Sequence, residues 1–163
     1  MQKYNSARQH NLSFADLFSG LGGFHIAMKD LGGKCVFASD IDDEVNRIYK
    51  ENFNLVPHKD IREVKDDDIP DHEILFAGFP CQPFSKGGSQ KGFEDIRGTS
   101  FFEIAKILKV KQPDYILLEN VSNLVSHNKG RTYKTIIKTL KKLGYITPRK
   151  PIILSPHNFG VPA

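Results

Sequence analysis

The chain has 163 residues, 39% hydrophobic and 26% charged, which suits one domain with a core and excludes a disordered polymer. No run of about 18 apolar residues occurs and no apolar signal core follows Met1-Gln2-Lys3, which argues against a membrane span and against export. The net charge of +4 is uneven: residues 1–119 hold 15 Lys/Arg against 19 Asp/Glu, whereas residues 120–163 hold 8 Lys/Arg and no acid.

In chain order, Ser13–Phe18 reads as a strand that ends in a glycine turn. Phe24–Leu31 reads as a helix stopped by Gly32-Gly33, and Lys34–Ser39 as a second strand. Glu44–Asn52 has Val45, Ile48 and Tyr49 at helical spacing. A short third strand is expected near Leu55–Lys59, with loop or a short helix in the acidic run Lys65–Asp68. Glu73–Ala77 and Tyr115–Leu118 read as the fourth and fifth strands. Between them lie a Gly-rich loop, 86–98, and a helix at 101–110 whose start, Ser100-Phe-Phe-Glu103, has capping-box spacing. Arg131–Leu143 reads as a helix ended by Gly144, and a sixth strand is expected within Tyr145–Leu154. Strands alternating with helices predict an α/β fold: a mostly parallel, doubly wound, Rossmann-like sheet covered on both faces.

Ligands of such sheets bind outside the carboxyl ends of the strands. Those ends carry Phe18-Ser-Gly-Leu-Gly-Gly-Phe24, Asp40-Ile41-Asp42, Asp60-Ile61, Pro80-Cys81-Gln82 and Glu119-Asn120-Val121. Gly20, Gly22 and Gly23 allow close approach of a ligand, because no Cβ intervenes. The spacing differs from the GxGxxG dinucleotide fingerprint, with His25 at the third glycine position. Asp40 follows Gly20 by 20 residues and is placed to accept hydrogen bonds from ribose hydroxyls. A nucleoside-containing cofactor without a pyrophosphate fits, S-adenosylmethionine being one; a purely structural turn is the alternative.

Cys35 and Cys81 form neither a CxxC nor a zinc pattern, so a reduced, cytoplasmic setting is expected, with one disulfide the other possibility. Cys35 lies inside an apolar strand and reads as an inert core thiol. Cys81 follows a strand and is framed by Pro80 and Pro83, whose fixed φ would aim a nucleophilic thiol. Glu119 ends an apolar run, which predicts a partly desolvated carboxyl suited to donating a proton; a capping or salt-bridged glutamate is the bland alternative. The basic stretch after residue 119 fits a polyanion such as nucleic acid, or is a solvated helix face.

Three strings, Asp16-Leu-Phe-Ser-Gly-Leu-Gly-Gly-Phe24, Gly78-Phe-Pro-Cys-Gln-Pro-Phe-Ser85 and Glu119-Asn120-Val121, resemble signature motifs of the DNA cytosine-5 methyltransferases. Gln90–Gly98 resembles the bacterial restriction–modification members, and the resemblance runs from about residue 13 to 162. It implies that Phe18, Gly20, Leu21, Gly22 and Gly23 form the loop for S-adenosylmethionine. It also implies that Asp40, Ile41, Asp60 and Ile61 contact its ribose and adenine, and that Gly78 and Pro80 bridge cofactor and active site. Cys81 matches the nucleophile that attacks C6 of the target cytosine, and Glu119 the acid that contacts N3. The substrate implied is double-stranded DNA with a flipped-out cytosine, since the thiol cannot reach C6 in the stack. Ser85, Lys86, Gly87, Gly88, Ser89, Gln90 and Lys91 match a loop that closes over the DNA.

In family terms, residues 1–12 are an N-terminal extension and 13–163 a partial catalytic domain. The string Asn158-Phe-Gly-Val-Pro162 meets Ala163 where relatives carry Gln and then an Arg-containing motif. The target-recognition domain and the last strands are outside the resemblance. The expectation is therefore weak activity alone and completion by a second polypeptide or a C-terminal segment. A catalytically inactive relative, acting as a cofactor- or DNA-binding module, is the alternative. A different cysteine enzyme is a more distant one, because none of His25, His58, His72, His127 and His157 is placed by a motif.

Overall fold

The computed structural model describes residues 12–80 and 99–161. These residues form two compact units, one of 12–80 with 99–120 and one of 121–161. The first unit is built on four strands, β1 (Ser13–Leu17), β2 (Lys34–Ser39), β3 (Ile74–Gly78) and β4 (Tyr115–Glu119). All pair in parallel, in the order β2-β1-β3-β4. Chain order reverses at β1, so β1 and β3 flank the switch point where such sheets open a crevice.

Burial explains why these short runs become strands. On β1 the side chains of Phe14, Ala15, Asp16 and Leu17 are all fully buried, and on β3 those of Leu75, Phe76 and Ala77 are buried. Alternate side chains point to opposite faces, so burial of both sets means the sheet is covered on both sides. One face carries a cluster of Phe14, Met28, Cys35, Ala38, Tyr49 and Phe76. Met28 belongs to helix α1 (Gly23–Asp30) and Tyr49 to helix α2 (Asp43–Phe53). Helix α3 (Ser100–Lys111) buries Phe101, Ile104, Ala105, Ile107 and Leu108, and Phe101 approaches Phe79 just past β3.

Local chemistry sets the helix ends. Asp42 caps α2 by accepting from the N–H groups of Glu44 and Val45, at 2.9 and 3.2 Å, and Asn54 ends it in the left-handed region. For α3 the expected capping box is off by one residue. Thr99, not Ser100, is the cap and accepts from Phe102 N–H; Glu103 instead pairs with Lys106.

Two expected strands are absent from the described residues. Near Leu55–Lys59 there is only a single bridge, Ser39 to His58. His58 makes both bonds of that bridge, its N–H donating to Ala38 O at 2.8 Å and its carbonyl accepting from Asp40 N–H at 3.0 Å, and no further rung follows. The acidic run forms a short 3₁₀ turn at Asp66–Asp68. Within Tyr145–Leu154 the backbone is irregular, because Pro148 and Pro151 each withhold an N–H. Ile152, Ile153 and Leu154 there are mostly exposed. The second unit holds helix α4 (Arg131–Lys142), entered through left-handed Gly130 and closed after Leu143 by Gly144, at φ 96°.

Candidate active site at the strand ends

β1 passes into the glycine turn through Phe18 at φ 56°. A phenylalanine held in the left-handed region is strained, and such strain persists where surrounding contacts fix it. Here Ser19 N–H donates to Ser39 O at 3.0 Å and Gly22 N–H to Ser19 O at 2.9 Å. Gly20, at φ 52°, donates its N–H to Asp40 Oδ2 at 2.9 Å. The other carboxylate oxygen of Asp40 accepts from Asp42 N–H at 3.0 Å. Asp40 thus splints the turn to the end of β2, as well as standing at the edge where a ligand would meet it.

The glycines have different reasons. At Gly22, φ is 88° and a Cβ would run into the Phe53 ring, so packing alone requires glycine. At Gly23 nothing lies within 4 Å of where a Cβ would be and φ is ordinary. The chain's own packing would therefore accept a side chain at 23. Gly23 opens α1, and the turn has no side-chain cap, so first-turn N–H groups face the crevice side as an anion-attracting end.

Asp60 and Ile61 follow the His58 bridge, where Asp40 N–H donates to His58 O at 3.0 Å, so they lie beside the end of β2. The Asp60 carboxylate is gripped by Arg62, whose Nε donates to both oxygens at 2.9 and 3.0 Å. Those hydrogen bonds hold the Asp60 pKa below its usual value. Ile61 is buried, while Leu21 (59% exposed) and Ile41 (67% exposed) leave apolar surface open at the strand ends. Such surface suits a flat heterocycle.

Gly78 and Glu119 are direct partners in the β3–β4 register. Glu119 Oε2 lies 3.5 Å from where a Gly78 Cβ would stand. Glu119 is exposed, so the partial desolvation expected for it is not present: β4 has no neighbour beyond it among the described strands. Pro80 is exposed at the end of β3. Cys81 and the loop residues Ser85, Lys86, Ser89, Gln90 and Lys91 lie outside the described residues.

Three groups escaped the sequence reading. Asp16 is fully buried, and neither carboxylate oxygen has a hydrogen-bond partner. Burial lifts its pKa to about 7, opposed by the nearby Tyr49 hydroxyl and reinforced by Asp40. The Tyr49 hydroxyl is not in bonding geometry with Asp16 and lies 2.8 Å from His25 Nδ1. Burial also lowers the His25 pKa, which favours a neutral ring able to accept from that hydroxyl. Ser19 Oγ is likewise buried without a partner. Asn120 Nδ2 donates to Phe79 O at 2.6 Å, tying the end of β4 to the residue before Pro80. An acid inside the apolar run 13–18 was the visible signal for Asp16, since unpaired charged residues are rarely buried. Asn120 gave no signal beyond its place in a motif.

The C-5 cytosine-specific DNA methylase family matches residues 12–163. The chain belongs to that family. It is 50% identical over 151 residues to the type II methyltransferase M.DsaV of Dactylococcopsis salina, covering 93% of this chain and 42% of that protein. It is 48% identical over 161 residues to M.HpaII of Haemophilus parainfluenzae, covering 97% and 45%. The solved Dnmt2 methyltransferase of S. pombe superposes with a TM-score of 0.70 at 30% identity, covering 93% of this chain and 47% of that one. The chain thus spans less than half the length of these relatives. DNA cytosine-5 methyltransferases use S-adenosylmethionine as methyl donor. The residues present fit that group on three grounds: an open space over Gly23, an orphaned carboxyl at Asp16, and exposed apolar residues at 21 and 41. Among the described residues no helix is long and apolar enough to cross a membrane.

Proposed function

We propose that this chain is the cofactor-binding and nucleophile-bearing part of a DNA cytosine-5 methyltransferase, completed by further polypeptide. The observation that carries this is the convergence, on one edge of the sheet, of the Asp40-splinted glycine turn and the Gly78–Glu119 pair, within a family match over residues 12–163.

Phe18, Gly20, Leu21, Gly22 and Gly23 would cradle S-adenosylmethionine, with Asp40, Ile41, Asp60 and Ile61 at its nucleoside end and Gly78 and Pro80 toward the reaction centre. The unpaired Asp16 carboxyl would compensate a cationic group of the ligand from beneath the turn. When bound, S-adenosylmethionine supplies an electrophilic methyl group. The Cys81 thiolate adds to C6 of a cytosine flipped out of double-stranded DNA. Glu119, in its acid form, donates at N3 and so draws the added electron pair into the ring, which leaves C5 nucleophilic. Shielding by the DNA and by the proposed further polypeptide would give Glu119 the desolvation that its exposed position does not provide. Once C5 carries the methyl, loss of the C5 proton to a base expels the Cys81 thiolate, and return of the N3 proton to Glu119 restores the neutral ring and the acid. Asn120 holds the end of β4 against Phe79, and so positions Glu119 relative to the chain that leads to Cys81. Ser85, Lys86, Ser89, Gln90 and Lys91 would close over the DNA backbone.

Completion by further polypeptide is supported by apolar surface left open in each unit: Tyr115 and Leu117 on β4, and Ile152, Ile153 and Leu154 after α4. Expected activity is therefore conditional. Purified chain mixed with labelled methyl donor and DNA forms 5-methylcytosine only when a complementing C-terminal polypeptide is added. Robust methylation by the monomeric chain alone would refute the need for completion. No methylation in either arm would leave a cofactor- or DNA-binding module as the function.

A further inference from the structure

The second unit carries a basic helix face that lies outside the strand-end site. On α4 the buried positions are Thr132, Ile136, Thr139 and Leu140. The exposed positions Lys134, Lys138, Lys141 and Lys142 repeat that spacing two residues later. Two residues rotate a helix by about 200°, so the four lysines form the face opposite the buried one. They border a groove of about 630 Å³ that is completed by Tyr133, Thr147 and Arg149, among others. No acid lines it, and residues 120–163 contain none.

Several cations of the first unit pair with acids, whereas Lys29, Lys34, Lys50 and Lys65 form no ion pair among the described residues. Arg47 pairs with Glu44 and Glu51, Lys59 with Asp43, Arg62 with Asp60, and Lys111 with Asp71. Among the described residues, none of the five groove cations has an ion-pair partner. Like charges spaced i,i+4 destabilise a helix by a few tenths of a kcal/mol each, and mixed-sign surfaces avoid that cost. A helix that keeps the repulsion and turns it into a groove is arranged for an external anion.

We propose that this groove binds the phosphate backbone of duplex nucleic acid, without reading bases. Lys134 to Lys141 spans about 10 Å of helix at 1.5 Å per residue. One strand of a duplex presents a phosphate about every 3.4 Å along its axis, so this row meets about three phosphates. The Tyr133 hydroxyl and the Arg149 fork add donors along the same groove. The groove shares no residue with the strand-end site, and the proposal stands independently of methyl transfer.

The test titrates a labelled alternating A·T duplex, which contains no cytosine, into the full chain over a range of salt concentrations. The groove variant combines Lys134→Gln, Lys138→Gln, Lys141→Gln and Lys142→Gln. A control of equal net charge combines Lys29→Gln, Lys34→Gln, Lys50→Gln and Lys65→Gln, all exposed in the first unit, with thermal melts to verify folding. The salt slope is expected to fall by about 3 in the groove variant, at about 0.9 per lost contact, with binding at least 30-fold weaker, and to stay near wild type in the control. An unchanged slope in the groove variant, or an equal loss in the control, overturns the proposal. So does a polyglutamate peptide that binds as tightly as the duplex and loses as much in the groove variant, because it would assign an acidic polypeptide instead. Failure here leaves the methyl-transfer reading untouched, since this duplex offers no target base.

Discussion

Asp16 sits on the central strand, fully buried and without a hydrogen-bond partner, with its pKa lifted to about 7 by burial. An unfolded aspartate titrates near 4. Between about pH 4 and 7 the unfolded chain therefore releases a proton that the folded chain keeps. Stability contributed by the protonated carboxyl is full below pH 4, falls as pH rises through this window, and levels off above 7. The span amounts to at most about 4 kcal/mol. Asp16→Asn removes the titration, so the stability difference between pH 4.5 and pH 8, read by denaturant unfolding, is expected to shrink relative to wild type. An equal difference in both proteins would place the pH dependence elsewhere. At this scale the sequence revealed unevenly. The placement of Gly20, Asp40 and Glu119 at strand ends was legible from the apolar runs that precede them. The pairing of Asp40 with Gly20 N–H, the orphaned state of Asp16 and the grip of Arg62 on Asp60 depend on packing that no spacing encodes.

The start of α1 separates what the chain needs from what a ligand needs. Gly22 is fixed by its positive φ and by the Phe53 ring, but Gly23 has open space and ordinary φ. Alanine is a better helix former than glycine by about 1 kcal/mol. Gly23→Ala is therefore expected to hold or raise the melting temperature while weakening S-adenosylmethionine binding at least tenfold in calorimetry. Unchanged affinity would mean that the cofactor does not use the space over α1. Of the elements, β1, β2, β3 and β4 and the four helices were legible from apolar runs and helical periodicity, within a residue or two. The strands expected near Leu55–Lys59 and within Tyr145–Leu154 were not found. The first keeps only the His58 bridge to β2, and in the second Pro148 and Pro151 withhold donors that a ladder needs. Thr99 outcompeted Ser100 as the α3 cap, since both residues can cap and spacing alone does not choose between adjacent hydroxyls.

On the scale of the molecule, a parallel sheet ordered β2-β1-β3-β4 brings separate motifs to one edge. That convergence was legible in advance, because a parallel sheet has all its carboxyl ends on one side. The division into two compact units was not: the passage from Glu119 to Val121 carries no Gly- or Pro-rich linker to mark a boundary. The proposed reaction turns on attack by the Cys81 thiol at cytosine C6. The most direct measurement incubates the chain, with and without a complementing polypeptide, with S-adenosylmethionine and duplex DNA carrying 5-fluorocytosine. Fluorine at C5 cannot leave as a proton does, so the adduct persists through a denaturing gel and intact-mass analysis. The account predicts a covalent protein–DNA species for wild type with the complement and none for Cys81→Ser. An adduct that survives Cys81→Ser, or none from the complemented wild type, would contradict it.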